Sequence, residues 1–448
     1  SRMKNKCCMI TLASILLLGC ATPSIVYGKE QEGLLARTSL ASVSQSLNKG
    51  NEGQVKTTTL GLSDDEQAII QAIGKGKNFK GKLYLNYIRD KITEVFKEYN
   101  GDIFKLLSEF SSLISDQISE VNVKERFDVS PGVIKRLITI SAMYDIAFAK
   151  DSCFMSLLGA ANDGTAPAEP TGFYPNTTQL EGTTVNKQDG KLMTLKSYYV
   201  DQKSDVTVMI HGGFRGNWNL GTVTDEYNIF YNAGYNLLFV DPRATGNSGG
   251  DYVTYGQYES DDVLYWINRE VGTKPTQKIL LYGGSMEAAA MMSTLAKDIP
   301  ANVKGIIENC GFKSIDEQLR YTYKNTVAPL LGSIFGEEFD IVADEEHEDL
   351  YMGLLKEYYF DQELKMNVNE NLPEIGMATT IPKLIIHGDA DQVVPHENAD
   401  ELYDLSGGYK VKLIVAGAGH GEAQSVDPVA YQTYVTNFLN YLFGSQRH

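Results

Sequence analysis

Short β-branched runs alternate with longer helical stretches over the second half of this chain, and this alternation limits its fold more than any other feature. Each interval could hold a crossover helix, so a parallel sheet with helices on both faces is the economical arrangement. Two earlier runs around a polar turn predict an antiparallel hairpin. The sequence therefore predicts an α/β fold with an eight-stranded, mostly parallel sheet, whose strands fall at residues 179–186, 192–200, 206–211, 237–241, 279–282, 303–308, 384–387 and 411–415.

One interval is too long for a single crossover helix, because roughly seventy residues separate Cys310 from Leu384. They are helical in pattern and rich in Tyr, Phe and Leu. An insertion at this point is expected over the carboxyl ends of the strands, where open α/β sheets bind ligands. We therefore predict a domain at residues 175–448 with a helical cap insertion at 311–380.

The first part of the chain differs in pattern from this domain. Residues 64–161 carry apolar side chains at helical spacing and predict an N-terminal helical segment. Residues 29–63 are rich in Ser, Thr, Gly, Asn and Gln, which is typical of a flexible tether. A stretch rich in Gly, Pro, Asn and Thr at 162–175 predicts the domain boundary.

Residues 1–28 predict a secretory signal, because two lysines precede an apolar run too short to span a bilayer. Residues 1–2, ahead of Met3, are interpreted as a cloning remnant. Residues 17–20 resemble a lipobox that would leave a lipidated Cys20 as a membrane tether, whereas residues 26–28 resemble an ordinary signal-peptidase site. Both alternatives predict export, either as a secreted protein or as a lipoprotein on the outer face of the membrane.

The charge of the chain argues against nucleic acid as a partner. Its formal net charge is −17, and removal of residues 1–28 would delete three basic residues and no acidic one. Beyond the signal, Cys153 and Cys310 remain, and export would permit a disulfide between them as readily as two buried free thiols. The acidic run 337–349 lacks the glycine-punctuated spacing of a calcium loop, and the sequence has no CxxC, HExxH or phosphate-binding signature. We predict no metal and no cofactor.

Chemistry is indicated where a predicted strand turns into an Ala-rich helix at Gly283-Gly284-Ser285. In isolation this turn is more readily interpreted as a strand followed by a helix that Ser285 caps. Among the six histidines, His420 follows the final strand in a glycine-rich loop suited to a catalytic base, and it is the candidate by elimination. The other five are His211, His347, His387, His396 and His448, which flank other loops, lie in the acidic run or end the chain.

Residues 283–287 resemble the G-x-S-x-G nucleophile elbow of the α/β-hydrolase superfamily, and residues 387–395 are similar to its H-G-x-x-D-x-x-V-P acid loop. The resemblance covers residues 175–443 and keeps the family order of serine, acid and histidine. It implies an exported, capped serine hydrolase of Gram-positive type whose triad is Ser285, Asp391 and His420. Asp389 is the alternative acid.

The same resemblance implies an oxyanion hole of two backbone N–H groups, one from Met286 and one from the loop after the third strand. That loop favours Gly213, with Phe214 as the alternative, although a plain glycine turn fits the loop nearly as well. Residues 241–248 are similar to the family's D-x-R-G-x-G-x-S segment, depart from it at Ala244, and are interpreted as structural. The elbow itself departs at Glu287, which replaces its second glycine.

The resulting hypothesis is a serine hydrolase that cleaves a carboxylic ester through an acyl-enzyme on Ser285. A peptidase or amidase with the same triad is the first alternative, with a small molecule or a peptide as the acyl substrate. A catalytically weakened binding protein is the second, because Glu287 could tilt the elbow. A monomer is favoured.

Overall fold

The computed structural model describes residues 140, 143–144, 147–150, 174–213, 225–329 and 341–444. The predicted signal, the predicted tether and nearly all of the predicted helical segment at 64–161 lie outside these ranges. The described residues therefore belong mainly to the predicted catalytic domain.

A single eight-stranded sheet runs through the described residues. The strands are β1 (Thr177–Val185), β2 (Leu192–Val200), β3 (Val206–His211), β4 (Asn236–Asp241), β5 (Lys278–Gly284), β6 (Val303–Asn309), β7 (Lys383–Gly388) and β8 (Lys410–Val415). Their order in the sheet is β1-β2-β4-β3-β5-β6-β7-β8. β2 pairs antiparallel with β1 and β4, and the later strands pair in parallel. This confirms the predicted eight-stranded, mostly parallel α/β sheet.

Helices cover both faces of the sheet, and each face has its own apolar core. The helices are α1 (Asp225–Asn232), α2 (Glu259–Thr273), α3 (Met286–Thr294), α4 (Ile315–Thr322), α5 (Glu345–Leu355), α6 (Leu372–Met377), α7 (Glu397–Leu405), α8 (Ala423–Val426) and α9 (Pro428–Phe443). One core joins α1 and α9 to the strands, and the other joins α2, α3, α6 and α7 to them. β3, β4 and β7 are buried along their whole length, which explains why their sequences are mostly apolar rather than alternating.

The strand order reverses direction around β3, which lies between β4 and β5. The connections that leave β3 and β5 therefore run to opposite sides of this point. Open α/β sheets place their ligand crevice at such a reversal, beyond the carboxyl ends of the strands. Gly213 follows β3 and Ser285 follows β5, so both candidate residues lie at this edge.

The segment after β4 is tied to the rest of the domain by a buried guanidinium. Arg243 pairs with Asp262 of α2 at 2.8 Å and donates to Asn186 and Gln188 in the β1–β2 turn. Ala244 has a φ of 54°, in the left-handed region that glycine adopts more readily. The structure thus places Ala244 in the conformation for which the family pattern has glycine.

The described part of the insertion at 311–380 is mostly helical. It contains α4, α5 and α6 and two π-helices at Tyr323–Val327 and Lys356–Leu364. The second π-helix packs against the described part of the N-terminal segment, where the Tyr144 and Tyr359 rings stack with centroids 3.9 Å apart. In the ranges that the structure describes, no helix is long and apolar enough to cross a membrane.

Candidate active site

Ser285 lies in a strained turn between β5 and α3. Its φ of 56° and ψ of −123° are outside the regions that side-chain-bearing residues prefer, as expected for a nucleophile elbow. Its N–H donates to the Asn309 carbonyl at 2.8 Å, which ties the turn to β6. A Cβ on Gly283 would lie 2.6 Å from the Glu287 carbonyl oxygen. Glycine is therefore needed two residues before Ser285, because the backbone of α3 passes close to the strand.

His420 contacts both other members of the predicted triad. Its Nε2 lies 3.0 Å from Ser285 Oγ, and its Nδ1 lies 2.8 Å from Asp391 Oδ2. Because a carboxylate only accepts hydrogen bonds, the proton resides on Nδ1, and Nε2 is left to accept from the serine hydroxyl. The loop bends around His420 through Gly417 and Gly421, both of which have positive φ. The three residues therefore form one hydrogen-bonded line.

Asp391 is buried, but it is well supplied with donors. Its Oδ1 accepts from the Val393 and Val394 N–H groups at 2.8 and 2.9 Å. Burial by itself raises the pKa of this carboxyl, but His420 and His387 outweigh it and hold the pKa well below the usual range for aspartate. Asp391 is thus ionised at neutral pH, which suits a group that must stabilise a histidine cation.

The alternative acid, Asp389, has a different partner. Its Oδ1 accepts from the Gly417 N–H at 2.7 Å, and the residue is exposed. It therefore braces the loop that carries His420, while Asp391 contacts the imidazole itself.

Two of the three predicted oxyanion residues are described. The Met286 N–H opens α3 directly after Ser285, and Gly213 is buried just beyond the end of β3. The Gly212 N–H is already donated to the Val240 carbonyl at 2.7 Å, so it cannot serve an oxyanion. Phe214 lies outside the described residues.

Glu287 is buried in the first turn of α3, with 1% of its surface exposed. Its charge acts on Tyr227 of α1: burial first, and then Glu226, Tyr431 and Glu287, raise the pKa of that phenol well above its usual range. The Ser285–His420 contact of 3.0 Å is formed with Glu287 in place. The elbow therefore accommodates a buried Glu287 side chain without loss of this contact.

A helix and a histidine beside the triad were not recognised from the sequence. The helix is α4, in the predicted cap, which contacts the acid loop: Gln318 donates to the Val393 carbonyl at 3.0 Å, and Tyr321 donates to the Gln392 carbonyl at 3.1 Å. The histidine is His387, whose Nε2 lies 3.2 Å from Asp391 Oδ2. The available signal was its position at the end of β7, four residues before the acid.

Cys310 is a buried free thiol close to the triad, and Cys153 lies outside the described residues. Donor atoms of Cys310, Asp391 and His420 lie within 4.8 Å of one another and could in principle hold a metal ion. Burial, however, raises the pKa of the Cys310 thiol to about 11, whereas a metal ligand must be a thiolate. Asp391 and His420 also form a hydrogen bond with each other, which uses the atoms that would bind a metal. This cluster therefore fits a catalytic triad better than a metal centre.

No family model matches the chain. An uncharacterised protein of Bacillus subtilis, YqkD, is 25% identical over 222 residues, which cover 48% of this chain and 65% of that protein. YfhR of Escherichia coli O157:H7, also uncharacterised, is 22% identical over 229 residues, which cover 51% of this chain and 66% of that protein. The chain thus matches just under two thirds of the length of these curated relatives.

Solved structures also share similarity with the chain. The esterase Pf2001 of Pyrococcus furiosus has a TM-score of 0.44 and 20% identity, over 60% of this chain and 92% of that one. The α/β hydrolase GrgF from Penicillium sp. has a TM-score of 0.42 and 16% identity, over 60% of this chain and 99% of that one. XC6422 of Xanthomonas campestris, described as an α/β serine hydrolase without a lid, has a TM-score of 0.38 and 14% identity, over 61% of this chain and 99% of that one.

Proposed function

We propose that this chain, which has the fold of the α/β-hydrolase superfamily, is a serine hydrolase that cleaves a carboxylic ester through an acyl-enzyme on Ser285. One observation carries the proposal: Ser285, His420 and Asp391 form a hydrogen-bonded line with contacts of 3.0 and 2.8 Å at the carboxyl ends of β5, β7 and β8. A fold of this type hosts many activities, so the argument rests on the site.

The geometry supports a two-step reaction. His420 Nε2 takes the Ser285 proton while Oγ attacks the acyl carbonyl, and the ionised Asp391 stabilises the imidazolium that forms. The tetrahedral oxyanion would accept from the Met286 and Gly213 N–H groups. As the intermediate collapses, His420 gives its proton to the departing alcohol. Water, activated by the same histidine, then hydrolyses the acyl-enzyme and restores Ser285.

The substrate would be chosen by the insertion at 311–380. α4 donates from Gln318 and Tyr321 to the carbonyls of the acid loop, so this part of the insertion borders the triad. We therefore propose that α4 forms part of the wall along which the acyl group reaches Ser285. We propose a small-molecule or peptide acyl compound as the substrate.

Turnover of a p-nitrophenyl short-chain ester, compared with that of an aminoacyl p-nitroanilide, tests the reaction class. We expect ester hydrolysis, covalent labelling of Ser285 by a fluorophosphonate, and loss of both in Ser285→Ala. Faster anilide turnover would instead indicate the peptidase or amidase alternative. A chain that is neither active nor labelled would be the binding protein that Glu287 first suggested.

Export remains part of the proposal. It is supported by the basic and apolar pattern of residues 4–18, which lie outside the described residues. Cell fractionation with N-terminal sequencing of the mature protein tests it: a chain beginning after residue 28 supports ordinary cleavage, a lipidated Cys20 supports the membrane tether, and an uncleaved cytoplasmic chain contradicts export.

A further inference from the structure

The acid loop has a second histidine behind it. His387 is the penultimate residue of β7 and is fully buried, and its Nε2 lies 2.8 Å from the Val394 carbonyl and 3.2 Å from Asp391 Oδ2. Both neighbours are acceptors, so Nε2 carries a proton. Its electropositive N–H edge therefore faces the same carboxylate oxygen that receives His420.

These contacts close a small ring around the acid. Val394 donates its N–H to Asp391 Oδ1 at 2.9 Å, and its carbonyl contacts His387. His387 thus reaches Asp391 in two ways, through space to Oδ2 and through the loop residue that holds Oδ1. Rotation of the carboxylate would disturb both contacts.

A buried imidazole is costly unless its polar atoms are used. His387 Nδ1 has no hydrogen-bond partner among the described residues, so the favourable contacts of this ring come through Nε2. Burial lowers the pKa of His387, but Asp391 and Glu308 outweigh this effect and raise it. A side chain needed for packing alone would be apolar here, because the position is enclosed by buried residues of β6 and β7.

We propose that His387 is a positioning residue of the triad, which fixes the Asp391 carboxylate so that Oδ2 stays aligned with His420 Nδ1. This inference rests on the proposed serine-hydrolase function. His387 does not touch the reacting atoms, and it acts through Asp391. Its loss should therefore lower kcat and leave KM nearly unchanged, since Asp391 stabilises the histidine cation of the transition state.

The test compares His387→Leu with His387→Gln in p-nitrophenyl ester hydrolysis. Leu removes the donor, whereas the Gln amide can place an N–H close to the position of Nε2. A hydrogen bond to a charged group is strong enough for kcat to fall roughly 10- to 100-fold in His387→Leu, and His387→Gln should stay within about threefold of the wild type. His396→Leu is the matched control, because His396 is partly exposed and faces Glu397. It should behave as the wild type.

A second measurement does not depend on turnover. The proton between His420 Nδ1 and Asp391 should give a downfield resonance in the wild type and in His387→Gln, and it should broaden or disappear in His387→Leu. If His387→Leu does not fold, His387→Asn takes its place, because its shorter amide falls short of the Nε2 position.

The inference is overturned if His387→Leu keeps its kcat and resonance, or if Gln is as damaging as Leu. A wild type that is neither active nor labelled by a fluorophosphonate would defeat the proposed function instead. In that case the resonance alone decides the role of His387.

Discussion

Two carboxyl groups of the domain, Asp391 and Glu226, are buried to a similar degree and behave in opposite ways. Asp391, in the loop after β7, is 7% exposed and faces four N–H groups, those of Val393, Val394, His420 and His387. Glu226, in the first turn of α1, is fully buried. Its described donor is the Tyr282 hydroxyl at 3.3 Å, and its second oxygen has no hydrogen-bond partner among the described residues.

This difference sets the charge of each group. Burial raises the pKa of both carboxyls, but the histidines reverse the effect at Asp391, whereas at Glu226 burial prevails and raises the pKa to about 8. The acid loop therefore holds a permanent negative charge at neutral pH, and the start of α1 holds a proton. Burial alone does not identify a functional carboxylate, because the supply of donors decides which form is stable.

The largest effect should come from removing the charge at Asp391. We expect Asp391→Asn to lower kcat/KM for ester hydrolysis by roughly 10⁴-fold, because an amide cannot stabilise the His420 cation or fix its tautomer. Glu226→Gln should stay within about threefold of the wild type. Steady-state kinetics of the two variants tests this, with Asp389→Asn as the loop control. If Asp389→Asn were the more damaging change, the triad acid would move to Asp389.

The second prediction concerns stability, measured by urea unfolding at pH 5 and pH 8. The pKa of Glu226 rises from 4.5 to about 8 on folding, so the stability it provides is fully present below about pH 4.5 and is lost as pH rises toward 8. Since each unit is worth about 1.36 kcal/mol, Glu226→Gln should stabilise the protein at pH 8 by at most about 5 kcal/mol. The gain should be far smaller at pH 5. Equal effects at the two pH values would contradict the assigned proton.

The third prediction concerns the nucleophile elbow, where we expect backbone packing, rather than charge, to set the position of α3. A Cβ on Gly283 would lie 2.6 Å from the Glu287 carbonyl oxygen, whereas the atom nearest a Cβ on Gly284 is the Asn309 oxygen at 3.8 Å. Gly283→Ala should therefore shift α3 and its Met286 N–H, and reduce kcat on the order of 10²-fold. Gly284→Ala is the matched control and should be mild. Similar losses in both variants would remove this explanation.

The smallest effect is expected at Glu287. Because the close contact with Gly283 involves the backbone of residue 287, Glu287→Gln should keep kcat/KM within about threefold. Gln preserves the volume of this buried side chain and removes its charge. A loss of more than about tenfold would show that this carboxylate serves the reaction. Asp391 would then not be the only one of these buried carboxyl groups whose charge the reaction needs.

The strands were predictable because the pattern that forms a strand is contained in neighbouring residues. The predicted runs lie within two residues of the observed bounds, as at β4 (Asn236–Asp241) and β7 (Lys383–Gly388). His387 shows the limit of this reasoning. Its role depends on where the acid loop folds back, and its place four residues before the acid does not by itself separate a loop histidine from one that contacts Asp391.

The sequence alone determined the class of the fold and the order of serine, acid and histidine along the chain, because strand periodicity and turn glycines are written in neighbouring residues. Only the tertiary structure decided which aspartate meets His420 and where the Glu287 side chain goes. It also decided which buried carboxyl keeps its charge. These outcomes depend on donors from distant parts of the chain, such as His420 for Asp391 and Tyr282 for Glu226, which folding alone brings within bonding distance.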